Sequence, residues 1–450
     1  MTGTKVLRIP HPLVLLTGCV LLAAAASYVL PTGEFDRRTD AATGRSVAVA
    51  GTYHAVERSP VNLFDALIAL PVGMAERADV IFLVFMIGGA FMVIDETGTL
   101  RRAVGTLVGA LRGRDLLVIP VVSLFFCLGG VVENMSEEIV ALIPVLLILT
   151  TRLGFTPMVA VAMSVGSAAV GSAFSPINPF AVLIAQGVAD VQPASGWMFR
   201  TVVLLLAMIL WVGLTMRYAV AARVPRDDAS TYADGGLRAR DMSVVGIIAA
   251  TFAVAVWGLL GFGWDFNRLS ASFFAMGVVA GLVSGMGLAG TADAYVRGFR
   301  EMAYAALLIG FAGAITVVLG QGRVIDTIVH GVFVPLEGLP RLVSALGMMA
   351  AQAVVHVPVP SNSGQAVLTM PVLIPLSDLL DIPRQVTILA YQYGGALCDL
   401  LTPTNGGLMA VLAAAGVRYD DWLRFALPLY GVLIALGAVA ISVGLGVGLS

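Results

Sequence analysis

The stretch SAFSPINPF, residues 172–180, interrupts a long apolar run with two prolines and several polar side chains. Proline removes a backbone donor and clashes with the preceding turn, so this stretch is predicted to unwind a helix. The stretch DLLTPTNGG, residues 399–407, lies 227 positions later, and at that offset Ser175-Pro176-Ile177-Asn178 aligns with Thr402-Pro403-Thr404-Asn405. The sequence therefore predicts two related broken helices. They cover residues about 155–190 and about 383–416.

The same offset relates a second pair of polar interruptions. Residues 129–138, GGVVENMSEE, align with residues 356–365, HVPVPSNSGQ, so that Ser136 meets Ser363. At ~1.5 Å per residue, the apolar arms beside the first of these interruptions are short for a ~30 Å bilayer core. Each interruption is therefore predicted to be the tip of a re-entrant helical hairpin. The predicted hairpins cover residues about 115–151 and about 339–380.

The composition places these elements in a membrane. The chain has 450 residues, 58% of them hydrophobic and 12% charged, and its mean hydropathy is +0.94. Soluble domains are about 25% charged, so this chain has too few charges to cover a water-facing surface. It is predicted to be an all-α polytopic membrane protein. The predicted spans are residues 12–31, 79–98, 197–222, 243–262, 268–289, 303–322 and 421–447. Two amphipathic segments, 62–75 and 289–302, are predicted to be interfacial helices.

Basic residues predict the orientation. Lys5 and Arg8 precede the first span, and arginine clusters follow the spans 79–98 and 197–222. Cytoplasmic loops carry an excess of basic residues, so the N-terminus is predicted to be cytoplasmic and residues 32–61 to form an extracytoplasmic loop. Because Lys5 is the one lysine of the chain, a Walker A loop is excluded. No basic patch indicates a nucleic-acid partner.

The two halves are predicted to be inverted-topology repeats. A polar linker, residues 223–241, separates them, and the 243–262 span then crosses the membrane, so the second half begins on the opposite side. Inverted repeats with broken helices are typical of alternating-access transporters. The predicted organisation is a first repeat at 1–222, a cytoplasmic linker and connecting span at 223–267, and a second repeat at 268–450.

The four interruptions contain the groups of a small-molecule site. Helix N-termini favour a carboxylate, and unwound carbonyls with Ser, Thr and Asn oxygens suit Na⁺. Asn134 and Ser136 are predicted to cap the arm that follows the first tip, and Ser361 and Ser363 the arm that follows the second. The predicted substrate-binding residues are Asn134, Ser136, Glu137, Glu138, Ser175, Asn178, Ser361, Asn362, Ser363, Gln365, Thr402, Thr404 and Asn405. Na⁺ is predicted near Asn362, Ser363, Thr402 and Asn405.

Ionisable side chains in the interruptions are candidates for coupling. Intramembrane acids are costly and are functional candidates by default. We expect Glu137 or Glu138 to bind a substrate ammonium group or to carry a coupling proton, with Asp399 and His356 as further proton candidates. For Glu133, a structural position at the surface of the tip is as consistent with the sequence as a functional role. For His356, an ordinary buried position in a helix is the alternative to a functional role. No arginine or lysine lies in the four interruptions, which favours a zwitterionic or cationic substrate over a dianion.

Several motifs in both halves resemble the YfcC family, a branch of the DcuC-like C4-dicarboxylate carrier group in the ion transporter superfamily. They are Pro31-Thr32-Gly33-Glu34-Phe35-Asp36-Arg37, Gly51-Thr52-Tyr53-His54, Ser136-Glu137-Glu138, Gly364-Gln365-Ala366-Val367-Leu368-Thr369-Met370-Pro371 and Thr402-Pro403-Thr404. The resemblance implies a homodimer in the bacterial inner membrane, with a scaffold domain and a transport domain that moves as an elevator. It also implies Na⁺ or proton coupling. Members of this family are named as basic amino-acid antiporters or as dicarboxylate carriers.

The sequence thus favours a secondary active transporter for a small carboxylate-bearing metabolite, with an amino acid as the first choice. The coupling is to Na⁺, to H⁺ or to exchange, and no cofactor besides Na⁺ is expected. A C4-dicarboxylate carrier is the alternative within transport. A channel and an intramembrane enzyme are more remote, and the chain has no Gly-x-Ser-Gly, Gly-x-Gly-Asp or His-Glu-x-x-His pattern for catalysis. No catalytic residue is therefore predicted.

Overall fold

The computed structural model describes residues 11–39, 46–49, 51–99, 102–103, 106, 114–225, 238–262, 264–336 and 338–449. The helices of the first half are α1 (Pro12–Val29), α2 (Leu63–Glu76), α3 (Ala78–Glu96), α4 (Val118–Glu133), α5 (Glu137–Leu153), α6 (Pro157–Ala173), α7 (Ile184–Val188) and α8 (Trp197–Ala221). Those of the second half are α9 (Ala239–Phe262), α10 (Phe266–Val283), α11 (Gly287–Gln321), α12 (Ile325–Phe333), α13 (Arg341–His356), α14 (Asn362–Leu379), α15 (Arg384–Gly395), α16 (Gly406–Ala414) and α17 (Tyr419–Gly446).

Seven helical stretches within the described residues are long and apolar enough to cross a membrane. They are α1, α3, Asp115–Val132, α8, α10, α11 and α17. Each predicted span corresponds to one of the helices above, although the ends differ. Long apolar runs predict such helices well because a buried apolar helix satisfies its own backbone hydrogen bonds.

The predicted boundary between the amphipathic segment 289–302 and the 303–322 span is wrong. Helix α11 runs without a break over 35 residues and includes both this segment and the 303–322 span. The junction Glu301-Met302-Ala303 consists of good helix formers, so nothing in the backbone ends the helix there. The other amphipathic segment forms α2, which ends at Arg77 before α3 begins.

Both predicted hairpin tips are non-helical. Helix α4 ends at Asn134, which adopts a left-handed conformation (φ 59°), and α5 begins after Ser136. Asn134 therefore terminates the first arm instead of capping the second, which corrects the prediction. Ser136 occupies the N-cap position of α5 without a side-chain capping bond. At the second tip, Ser361 caps α14 as predicted, because its hydroxyl accepts a hydrogen bond from the N–H of Gly364 at 3.2 Å. Ser363 lies inside α14 and does not cap it, which corrects the prediction for that residue.

The two proline-containing interruptions also leave the helical conformation. Helix α6 ends at Ala173, and the chain re-enters helix through a π-helical turn, Pro179–Leu183, that leads into α7. Helix α15 continues as a 3₁₀ segment, Ala396–Leu400, and α16 starts after Asn405. Proline cannot donate to the preceding turn, which accounts for both breaks.

Glycines bring the hairpins close to the broken helices. Helix α4 packs on α6, and α13 packs on α15. A Cβ atom at Gly130 would lie 2.0 Å from the carbonyl oxygen of Ala168, and one at Gly394 would lie 2.1 Å from that of Met349. Any larger residue would therefore push these backbones apart.

Helix α11 forms the other side of the region that contains the interruptions. It packs on α1, α2 and α3, and also on α16, which follows the second proline break. A separate cluster of buried apolar side chains lies among α3, α9, α10 and α11. The second proline break thus lies beside the long helix α11 and the helices packed around it.

The predicted extracytoplasmic loop contains two short antiparallel pairs. Gly33–Glu34 pairs with His54–Ala55, and Arg37–Thr39 pairs with Ser46–Ala48. Asp326 of α12 holds this loop, since its carboxylate accepts hydrogen bonds from the backbone of Phe35 at 2.9 Å and from Arg37 at 2.8 Å. Strands this short carry little sequence signal.

Candidate solute-binding site

A cavity of about 230 Å³ lies between the interruptions and α11. The residues that the interruptions contribute to its wall are Asn134, Ser136, Glu138, Phe180, Pro360, Ser361, Asn362, Ser363, Asp399, Thr404, Asn405, Gly406 and Gly407. The remaining wall is Arg77, Val80, Phe266, Ile309, Ala312, Gly313 and Thr316. All four interruptions therefore reach one cavity, although the first proline break contributes only Phe180.

The predicted site residues divide into two groups. Those that line the cavity are Asn134, Ser136, Glu138, Ser361, Asn362, Ser363, Asp399, Thr404 and Asn405. Those that lie outside the cavity wall are Ser175, Asn178, His356, Gln365 and Thr402, all of them buried. The side chain of Glu137 lies outside the described part of the structure.

Asp399 is the polar centre of this cavity. Its carboxylate accepts hydrogen bonds from Asn405 Nδ2 at 2.6 Å and Asn362 Nδ2 at 3.3 Å, and it lies 2.9 Å from His356 Nε2. The other ring nitrogen of His356 lies 2.8 Å from Gln365 Oε1. Both ring nitrogens of His356 thus lie within hydrogen-bond distance of a side-chain oxygen. Asp399 is 14% exposed, while His356 is fully buried.

The two hairpin tips meet beside Asp399. Asn362 Nδ2 also donates to Asn134 Oδ1 at 3.0 Å, and the Ser172 hydroxyl donates to the same oxygen. Within the described residues, Asn362 Oδ1 is buried and has no hydrogen-bond partner. A buried acceptor without a donor is costly, and a bound cation would satisfy it.

Ser175 and Asn178 connect the first proline break to the first hairpin. The Ser175 hydroxyl donates to the carbonyl of Val131 at 2.8 Å, and Asn178 Nδ2 donates to that of Gly130 at 2.8 Å. In the second half, the Thr404 hydroxyl donates to the carbonyl of Val357 at 2.7 Å. Side chains of both proline breaks thus bind the backbone of the neighbouring hairpin.

Sequence reasoning missed Gln392, which joins the two broken helices, and Arg200, which joins α8 to the second of them. Gln392 Nε2 donates to the carbonyl of Ser175 at 2.8 Å and to that of Ser172 at 3.3 Å. Arg200, fully buried in α8, donates to Gln392 and to Gln385. An arginine in an apolar span was the available sequence signal.

Arg77 is a further residue of the wall that sequence reasoning missed. It lies between α2 and α3, where the amphipathic pattern indicated only an interfacial position. Its stem lies against α11, since a Cβ atom at Gly313 would be 3.0 Å from Arg77 Cγ. The wall of the cavity therefore includes a positively charged side chain, although the interruptions have none.

Residues 9–445 match the family profile of DcuC, the C4-dicarboxylate anaerobic carrier. This chain belongs to the DcuC family. DcuC proteins are carriers, so the chain is a member of a membrane transporter family and not of an enzyme family. The predicted resemblance to this group is confirmed, and the seven apolar helices agree with a multi-pass membrane protein.

Individual relatives agree with the DcuC assignment. The chain is 32% identical to YfcC of Escherichia coli K12, provisionally named a basic amino acid antiporter, over 97% of this chain and 96% of that protein. It is 29% identical to an uncharacterized protein of Haemophilus influenzae Rd over 90% of this chain and 83% of that protein.

Two solved transporter structures resemble this DcuC chain more distantly. The YdaH transporter of Alcanivorax borkumensis is 19% identical with a TM-score of 0.44, and the alignment covers 98% of this chain and 99% of that one. MtrF of Neisseria gonorrhoeae, from a class of antimetabolite efflux pumps, is 17% identical with a TM-score of 0.42, over 98% of this chain and 96% of that one.

Proposed function

We propose that this DcuC-family chain is a secondary active transporter that moves a small carboxylate-bearing metabolite, an amino acid, across the bacterial inner membrane. The observation that carries the proposal is the single cavity that all four interruptions reach. Interrupted helices that meet in one polar cavity are a common arrangement for solute binding in transporters. The bilayer and a small solute are the partners of such a protein.

The cavity wall supports binding of both ends of an amino acid. Helices α14 and α16 begin there, and the first N–H groups of a helix have no intrahelical partner. The N–H groups near Ser363 and Gly407 thus favour a carboxylate. Glu138 and Asp399 line the same cavity and favour an ammonium group.

A C4-dicarboxylate is the second candidate substrate. The family is named for such carriers, and Arg77 adds to the cavity a positive charge that a second carboxylate would need. Glu138 and Asp399 oppose a dianion, because like charges at short range repel in a low-dielectric site. We therefore retain the amino acid as the first choice.

Coupling is proposed to act at Asp399. Na⁺ would bind there through the orphaned Asn362 Oδ1 and oxygens of Ser363, Thr402 and Asn405, as the sequence predicts. A proton would instead be held by the pair of His356 and Asp399, whose atoms lie 2.9 Å apart. In both cases one positive charge neutralises Asp399.

We propose an elevator movement of two inverted repeats. The equivalent pairs of helices, α4 with α6 and α13 with α15, pack together in both halves. This parallel supports the internal symmetry that the 227-residue offset indicates. The interruptions and their helices would move as a transport domain past α11 and its neighbours, in a homodimer whose scaffold domains form the interface.

The test is uptake by the purified protein in liposomes. Labelled L-lysine, L-alanine and succinate are offered under an imposed Na⁺ gradient, an imposed pH gradient, or neither. We expect gradient-dependent uptake of an amino acid that excess succinate does not inhibit. Succinate uptake without amino-acid uptake would establish the second candidate, and single-channel currents would contradict both.

A further inference from the structure

The wall of the cavity carries charges of both signs. Among the described residues that line it, Arg77 is the one with a positive charge, and it belongs to the side formed by α2, α3 and α11. Glu138 and Asp399 belong to the hairpin tip and the proline break that face this side. A solute in the cavity would therefore meet one cationic side chain and two carboxylates.

The fold holds Arg77 at this place. Helix α2 lies so close to α11 that a Cβ atom at Gly73 would be 2.4 Å from the backbone nitrogen of Ala314. Arg77 follows the end of α2, and its stem lies against Gly313. Within the described residues, the guanidinium of Arg77 forms no ion pair. It can therefore pair with a carboxylate of a solute in the cavity.

We propose that Arg77 binds the carboxylate of the substrate and that Glu138, in the wall of the same cavity, binds its ammonium group. This inference rests on the proposed function and assigns the recognition groups within it. A guanidinium binds a carboxylate through two parallel hydrogen bonds, which gives both strength and orientation. The site would select dipolar molecules that carry both groups, and it would reject amines and dicarboxylates.

The test compares L-lysine with two probes that each lack one of its charged groups. L-lysine carries both groups, cadaverine lacks the carboxylate, and 6-aminohexanoate lacks the α-amino group. Their inhibition constants for L-lysine uptake are measured in liposomes with the wild type, Arg77→Gln and Arg77→Lys. Arg300→Gln is the matched control, because Arg300 is exposed on α11 outside the cavity wall. Thermal melting of each variant checks that it folds.

We expect the wild type to prefer L-lysine over cadaverine by roughly tenfold to a hundredfold, the usual effect of a charged hydrogen bond. Arg77→Gln should bring the ratio of the cadaverine and L-lysine inhibition constants close to one, because it weakens the binding of only those probes that have a carboxylate. Arg77→Lys should restore part of the preference for L-lysine. Arg300→Gln should keep the ratio of the wild type.

One outcome would overturn the inference alone. It is an unchanged ratio of the L-lysine and cadaverine inhibition constants in a folded Arg77→Gln variant, whether both affinities stay the same or fall equally. A wild type that takes up succinate but no amino acid would instead overturn the proposed substrate and the dipolar site with it. The experiment thus distinguishes an incorrect role for Arg77 from an incorrect proposed function.

Discussion

Asp399 illustrates how the site works at the scale of one residue. It accepts hydrogen bonds from Asn362 and Asn405, faces the cavity, and lies against the buried His356. An intramembrane carboxylate needs such donors, because an isolated charge in a low-dielectric medium is costly. We therefore propose Asp399 as the residue through which a coupling cation and the substrate influence each other.

The Asp399→Asn substitution tests this role. We expect gradient-driven uptake to fall at least about tenfold, whichever cation is used, because a neutral amide carries no negative charge to balance that of Na⁺ or of a protonated His356. Exchange of labelled substrate without a gradient should persist. Asp293→Asn, at an exposed position of α11, serves as the control. Full gradient-driven uptake by Asp399→Asn would contradict the assignment.

Glu138 provides a second prediction at this scale. Its carboxylate lines the cavity and accepts a hydrogen bond from the backbone N–H of Ser136 at 3.2 Å. We expect Glu138→Gln to abolish uptake in liposomes while the protein still assembles, since the amide no longer attracts an ammonium group. Glu137→Gln is measured beside it. Unchanged uptake in both variants would remove these acids from the mechanism.

The sequence predicted the polar residues of the interruptions but not Arg77. Proline, glycine and asparagine act on the backbone near them, so Asn362 and Thr404 could be found from a local pattern. The position of Arg77 depends on the packing of α2 against Gly313 and Ala314, which are remote in sequence. A local sequence pattern does not predict which helices that are distant in sequence pack together.

At the scale of the elements, helix ends followed from local chemistry and helix packing did not. The breaks after Ala173 and before Gly406 lie where prolines predicted them. The continuity of α11 was missed because its amphipathic first part resembles a surface helix. The close pairing of α4 with α6 depends on glycines whose partners became visible only in the fold.

The Gly130→Ala substitution tests this pairing. The added Cβ would lie 2.0 Å from the carbonyl oxygen of Ala168, so α4 has to move away from α6. We expect the free energy of unfolding to fall by about 1–3 kcal/mol, measured as a lower melting temperature in detergent. Gly213→Ala, in α8 with no atom within 4 Å of the new Cβ, is the control. Equal melting of both variants would contradict the packing.

At the scale of the whole molecule, the orientation in the membrane stays a prediction. We expect an impermeant maleimide to label Arg58→Cys in intact cells and Val224→Cys only after lysis. The two positions lie on opposite sides in the predicted topology, since basic residues mark the cytoplasmic side. Both variants need a background without Cys19, Cys127 and Cys398. The reverse pattern of labelling would invert the proposed topology.

At this scale, the proposed transport mechanism requires that the transported solute occupies the cavity between the interruptions and α11. The most direct measurement is the rate at which a maleimide alkylates Ser363→Cys, a position in the cavity wall, in the same cysteine-free background. A saturating concentration of the transported amino acid should slow this rate at least about tenfold and leave that of Ser59→Cys unchanged. An unchanged rate at position 363, in a protein that still transports the solute, would contradict the account.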